Sequence, residues 1–252
     1  MLQKVDCRAL AKAWCCGFIL SNFNIFSNNT PNNSCYGTAS LVKSDLNVSN
    51  IHTDDQGRVI VFNAAGCTWA NVYLPSGSAA PARLLREKYG AKIIPQLISC
   101  RLAHGAIGRD FNCISSVLDS THEPQRKISP SIRNLISAMT WTDSFKLLDP
   151  RARQYSQHYN FNNKNAVTRL DQSYHWGDLK PLNVEYVTVS FSDHLSLRVS
   201  YKLPGELDRQ LTLKYQLSFK IPPHVVDDEL FRTRLRDSMT GWQLAKSEGG
   251  ST

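Results

Sequence analysis

Apolar and polar residues alternate along Glu185-Tyr186-Val187-Thr188-Val189-Ser190 and again along Leu195-Ser196-Leu197-Arg198-Val199-Ser200-Tyr201. A period of two is the mark of half-buried strands, so two strands flank the turn Ser192-Asp193-His194. Further strand-like runs lie at 37–44, at Arg58-Val59-Ile60-Val61-Phe62, at Thr68-Trp69-Ala70-Asn71-Val72-Tyr73, and from Ala106 to Ile114. Between them, Pro81 to about Ser99 and Ser131 to Leu148 have helical length and spacing. The second of these ends at Asp149-Pro150, because proline disfavours helical geometry in the residue before it. Residues 8–20 read as helical or mixed, 21–36 as an Asn- and Ser-rich loop containing Pro31, and 119–130 as a polar loop. Strands alternating with helices, then antiparallel pairs near the end, predict an α/β fold of two packed sheets with helices outside. There is no internal repeat.

The character changes after Tyr201. Gln210 to Phe219 alternates like one more strand, and Pro222-Pro223 stops it. Asp227-Asp228 then open an amphipathic helix with Phe231, Leu235, Met239 and Trp242 on one face. The expected division is a domain over 1–203 and a strand-plus-helix connector over 204–252. An aromatic stripe at helical spacing is usually core, so a docking role for this helix is the minor reading.

Composition agrees without adding detail. The 252 residues are enough for one large α/β domain, and 42% apolar with 20% charged residues is ordinary globular usage. A net charge of +8 favours a polyanionic partner, although excess Lys and Arg can equally just solvate a surface. Seven cysteines, odd in number and with no C-x-x-C among them, argue for reduced thiols in an intracellular, nuclear or cytoplasmic protein. The three N-x-S/T sequons are then chance matches. No apolar run reaches the eighteen or so residues of a membrane span.

The chemistry concentrates in Ile107-Gly108-Arg109-Asp110-Phe111-Asn112-Cys113 and Phe191-Ser192-Asp193-His194. Asp110 and Asn112 are one residue apart at a predicted strand end, which points both to one side, and the second motif sets an acid beside a histidine. Metal-assisted phosphodiester chemistry needs hard oxygen ligands, a donor to the phosphate and a base for water, and these residue types supply them. A lone Asp-x-Asn is more often a turn or an exposed acid.

Order along the chain raises the odds. Asn71-Val72-Tyr73-Leu74-Pro75, Arg109-Asp110-Phe111-Asn112, Thr168-Arg169-Leu170-Asp171 and Ser192-Asp193-His194 occur in that sequence. Together they resemble the endonuclease/exonuclease/phosphatase superfamily with its deoxyribonuclease-I-like fold. They look most like the apurinic-endonuclease-type domain of non-LTR (LINE) retrotransposon polyproteins. Gly37 to Lys43 and Trp141 to Phe145 are similar to flanking segments of that domain, and the tail resembles the connector to its reverse transcriptase. The resemblance implies a four-layer α/β sandwich and a magnesium-dependent DNA endonuclease. Asp110 would orient the attacking water, Asn112 would donate to the phosphate, and His194 would act as base or phosphate stabiliser, held by Asp171. Tyr73 would present its hydroxyl, Asp193 would sit at the metal, and Arg109 and Arg169 would contact nucleic acid. DNA is the implied partner, with docking of the tail helix to a polymerase module as an additional expectation. Singly, Asp171 could be a salt-bridge residue, Tyr73 a strand-end ring and His194 a turn residue.

Departures from the pattern bear on activity. Family members open with a strand carrying Asn, and a second strand ends in Leu-Gln-Glu, whose glutamate binds the metal. Here Leu2-Gln3-Lys4 would align with that motif, leaving no room for the first strand before Gly37 and placing Lys4 where the glutamate belongs. A single and a double positive charge about 4 Å apart repel by roughly 8 kcal/mol at an effective dielectric near 20. Arg109 stands where the family usually has Gly. The expectation is therefore an N-terminally truncated and impaired nuclease, with a non-catalytic nucleic-acid-binding remnant as the alternative. A phosphatase of the same fold acting on inositol lipids is less favoured by the flanking segments.

Overall fold

The structure, a computed structural model, describes residues 23–29, 37–77, 79–122, 128–161, 164–188 and 194–205. The helical expectation for 8–20, Lys4, Asp193, and the strand and helix expected beyond Gln210 lie outside these residues.

Strands β1 (Phe23–Asn29) and β2 (Gly37–Lys43) form an antiparallel hairpin. The expectation of a loop over 21–36 is thus overturned at 23–29. Phe23, Ile25 and Phe26 supply too little alternation among four polar residues to signal a strand. The segment is held by pairing with β2 and by Asn28, whose buried amide donates to the Asp54 and Val59 carbonyls and to Asp54 Oδ1. Asp54 also accepts from the Arg58 and Val59 backbone N–H groups and from Tyr89 Oη, so one buried carboxylate gathers three separate segments.

An antiparallel meander follows, β3 (Val48–Thr53), β4 (Val59–Ala64) and β5 (Cys67–Tyr73). The chain then runs through α1 (Ala80–Lys88), a π-helical turn (Tyr89–Ile93) and α2 (Ile94–Leu97). Pro95 cannot donate a helical hydrogen bond, and the wider turn just before it absorbs the missing bond within what the sequence predicts as one helix. Strand β6 (Gly105–Asp110) returns parallel to β5 and ends four residues earlier than the expected Ile114.

The predicted helix over 131–148 is two helices, α3 (Pro130–Ala138) and α4 (Ser144–Leu148), with β7 (Thr142–Asp143) between them. Thr140 adopts φ 52°, the Thr140 N–H bonds to Ser137 O and the Trp141 N–H to Ile136 O, which is a Schellman stop. Trp141 is thereby turned into the core, stacked on Trp176. The chain continues through hairpin β8 (Gln157–Phe161) and β9 (Lys164–Thr168), then β10 (Asp171–Trp176), then hairpin β11 (Lys180–Val187) and β12 (Ser196–Lys202). None of 48–53, 157–168 or 171–176 is legible as a strand from hydropathy.

The central sheet has the order β3-β4-β5-β6-β10-β7. Its two faces are both covered. Val59, Val61, Ala70, Val72, Ile107 and Tyr174 pack on one side against Tyr89, Ile94, Ile132 and Leu135 of the helical layer. Ile60, Phe62, Trp69 and Ala106 pack on the other against Val42, Val199 and Tyr201 of the two hairpins. Consecutive residues of β4 and β5 are therefore all buried, and each fully buried aliphatic side chain contributes about 1.5–3 kcal/mol. The result is a two-sheet α/β sandwich, with helices, central sheet and hairpin layer as three layers among the described residues.

Candidate functional site

Strands β5 and β6 are parallel, so their C-terminal ends reach the same edge of the central sheet, and antiparallel β10 begins there. Register sets Tyr73 opposite Asp110 and Asp110 opposite Asp171. The Phe111 N–H donates to Leu170 O at 3.1 Å. That bond makes Asp110 and Asp171 a non-hydrogen-bonded antiparallel pair, the kind in which Cα atoms come within about 4.5 Å and side chains lie closest. Two acids far apart in sequence become neighbours through strand pairing alone. His194 completes the group: its Nδ1 lies 2.7 Å from Asp171 Oδ2.

These contacts separate the two carboxylates. Burial pushes Asp110 up to about 6, and the negative charge of Asp171 adds to the rise against His194, the Asn112 N–H and Arg109. Burial acts on Asp171 in the same upward sense, but His194, hydrogen bonding to Ser156 and Arg109 outweigh it and hold Asp171 below the ordinary carboxylate value. Asp171 is thus the permanent anion and Asp110 the group that exchanges a proton near neutrality. The Asp171 contact makes Nδ1 of His194 the donor and puts the ring's basicity on Nε2.

The remaining predicted residues divide. Asn112 adopts φ 47°, just past the end of β6, and is not part of a longer strand. Its backbone N–H donates to Asp110 Oδ1 and its side-chain amide to Leu74 O at 2.8 Å. One of its two amide hydrogens is committed to the turn that carries Asp110. Tyr73 is buried in the row, with the Arg58 guanidinium 5.4 Å over its ring. Arg109 is 7% exposed and donates to Asn71 Oδ1 at 3.3 Å, while Asn71 in turn donates to Ala39 O of β2.

Arg169 requires a correction. The expected contact with nucleic acid does not fit a side chain that is 1% exposed, with Nε 2.9 Å from Asp119 Oδ1 and Nη2 2.5 Å from Asp143 Oδ2. Its guanidinium fork joins the loop after β6 to the N-cap of α4. Lys4 and Asp193 lie outside the described residues.

Sequence reasoning passed over Ser156. It is fully buried, its Oγ accepts the Leu170 and Asp171 N–H groups, and its carbonyl accepts the Leu195 N–H at 2.6 Å. One serine thereby docks the segment carrying His194 against the start of β10. Nothing in its polar surroundings, Gln154-Tyr155-Ser156-Gln157, signals this.

The donor set among the described residues does not complete a divalent-metal site. Among the described residues, no three His, Cys, Asp or Glu side chains are placed to share one metal ion. Of the two carboxylates in the row, Asp171 is already held by His194, and Arg109 adds a positive charge alongside.

Solved structures share this architecture. An apurinic endonuclease from Archaeoglobus fulgidus superposes with a TM-score of 0.60 at 14% identity, over 79% of this chain and 86% of its own. A 3′–5′ exonuclease from Neisseria meningitidis gives 0.56 at 17% identity, over 72% and 80%. A Neisseria 3′ phosphatase bound to product DNA hairpin gives 0.54 at 17% identity, over 79% and 86%. The fold is deoxyribonuclease-I-like. No protein-family model matches the sequence, and no curated protein matches it. At these identities the likeness is one of backbone architecture. Within the deoxyribonuclease-I-like sandwich, the Tyr73–Asp110–Asp171 row lies at the end of the central sheet, on the side facing the hairpin layer.

Proposed function

We propose that this chain is a phosphoester hydrolase acting on DNA, with Asp110, Asp171 and His194 at its centre. The observation that carries the reading is the register-fixed pair of buried acids, one raised toward neutrality and one held as an anion by a histidine. A carboxylate titrating near 6 is suited to accept a proton from an attacking water at neutral pH. His194, oriented by Asp171 and in its doubly protonated imidazolium form, would give its Nε2 proton to the leaving oxygen, and the second amide hydrogen of Asn112 would face a phosphate oxygen. Tyr73 would supply a hydroxyl at the same edge. Three proteins of this fold are, by name, an exonuclease, an apurinic endonuclease and a 3′ phosphatase seen with DNA, which supports DNA as the substrate class. The resemblance implies magnesium, with Asp193 as a ligand. The described residues leave that donor set incomplete, so no step is assigned to a metal.

The retroelement origin, the connector over 204–252 with its polymerase docking, and impairment through Lys4 belong to the same proposal and rest on sequence resemblance. Nicking of supercoiled plasmid with magnesium tests it. Cleavage by the unaltered chain that disappears in Asp110→Ala supports the hydrolase, and cleavage recovered only in Lys4→Glu identifies Lys4 as the lesion. The net charge of +8 favours a second reading, non-catalytic DNA binding. In that case folded protein would bind DNA in chelator, lose affinity steeply with salt, and leave the plasmid intact.

A further inference from the structure

Arg109 occupies a backbone position unsuited to it. Its φ of 133° belongs to the region that favours glycine, and its side chain is folded into the interior instead of reaching solvent. Buried arginines are normally paired with carboxylates, yet its hydrogen bond among the described residues goes from Nη1 to a neutral amide, Asn71 Oδ1. Nη2 is buried and has no partner among the described residues. Arg109 directly precedes Asp110, and its bond to Asn71, two residues before Tyr73 and so on the same face of β5, holds the guanidinium on the side of the row, where Asp171 and Asp110 act on it and Tyr73 more weakly. Burial lowers the pKa of Arg109, but arginine starts so high that it keeps its charge in proteins, and the bond to Asn71, itself tied to β2, holds the side chain in place.

We infer that Arg109 is the built-in cation of the Asp110–Asp171 pair, a positioning residue that offsets their charge from inside the protein and so weakens divalent-cation binding at this row. The inference rests on reading the row as the reactive centre and says what sets its charge. The same arginine links a strained backbone and a buried Nη2 without a partner among the described residues, two features that otherwise have no common cause. A divalent ion approaching the two acids meets a fixed positive charge that it cannot displace.

Manganese binding to the full chain, followed by the loss of the free-ion electron paramagnetic resonance signal, tests this without turnover. Arg109→Met keeps length and bulk while removing the charge, and should bind manganese at least about tenfold more tightly than the unaltered chain. The gain should vanish when Asp110→Asn is added. Should Arg109→Met fail to fold, Arg109→Gly, which suits the backbone, takes its place with the same expectation. Equal affinities, including no binding by either protein, overturn the inference, as does a gain that persists with Asp110→Asn. Failure of plasmid nicking by both the unaltered chain and Lys4→Glu would sink the hydrolase reading and leave this equilibrium measurement unaffected.

Discussion

Two buried arginines, Arg109 and Arg169, stand on opposite terms with their surroundings. Burial disfavours the charge of both. At Arg169 that effect is outweighed by Asp143, Tyr186 and Asp119, and its pKa lies well above the ordinary value. At Arg109 burial dominates despite Asp171, Asp110 and Tyr73, and the pKa is lowered well below it. Arg169 fills its fork with two carboxylates, whereas Arg109 offers one hydrogen bond to a neutral amide and leaves an atom unpaired on a strained backbone. The first is built for stability. The second is tolerated against stability, which is where function is expected to lie.

The comparison can be broken in four ways. Arg169→Met should destabilise the fold by about 3–5 kcal/mol, because it leaves Asp119 and Asp143 without their partner. Urea denaturation reads this, and a change below about 1 kcal/mol would show the network to be ornamental. Asp171→Asn and His194→Gln should each cut plasmid nicking about a hundredfold or more, and the double variant no further, since the two act as a unit. Additive losses would separate their roles.

The pH profile is the third. Asp110 must be ionised to accept a proton, so activity should fall about tenfold per pH unit below about 6 and level off above it. Stability carries the matching sign. The folded chain holds this proton up to about 6 and the unfolded chain only to 3.8, so the contribution of Asp110 to stability falls as pH rises through that window. Asp171, held low, acts oppositely: its contribution is present above the ordinary carboxylate value and is lost as pH falls through its lowered one. Activity that stays flat as pH falls through this value would remove Asp110 from the role of base. Last and smallest, Arg109→Gly should leave stability within about 1 kcal/mol of the unaltered chain, because relief of the backbone and of an unpaired buried donor opposes loss of the cation beside the two acids. A loss of several kcal/mol there would mean that Arg109 is structural like Arg169.

Much of the architecture was legible where burial is one-sided or continuous. Alternation revealed β12, and runs rich in β-branched and aromatic residues revealed β4 and β5, because such runs report burial. Strand β10 was hidden for the opposite reason. Its residues Asp171, Gln172, Ser173 and His175 are polar and fully buried, satisfied by partners distant in sequence: His194, Cys113 O, Tyr201 and Ser144. The single long helix expected over 131–148 failed at Thr140, where a left-handed residue without a glycine to announce it closes α3.

By itself the sequence determined the chemistry available and the order in which it is delivered: Tyr73, Asp110, Asn112, Asp171 and His194 were named from short motifs, and the α/β class from periodicity. Which of them meet was decided by strand register, a property of pairing between segments remote along the chain. Register set the two acids side by side and so raised one above the other. The tertiary structure also decided the fates of two arginines that look alike in sequence. Desolvation and partner geometry exist only once the chain has packed, and they bound Arg169 into the frame and left Arg109 as a charge beside the acids.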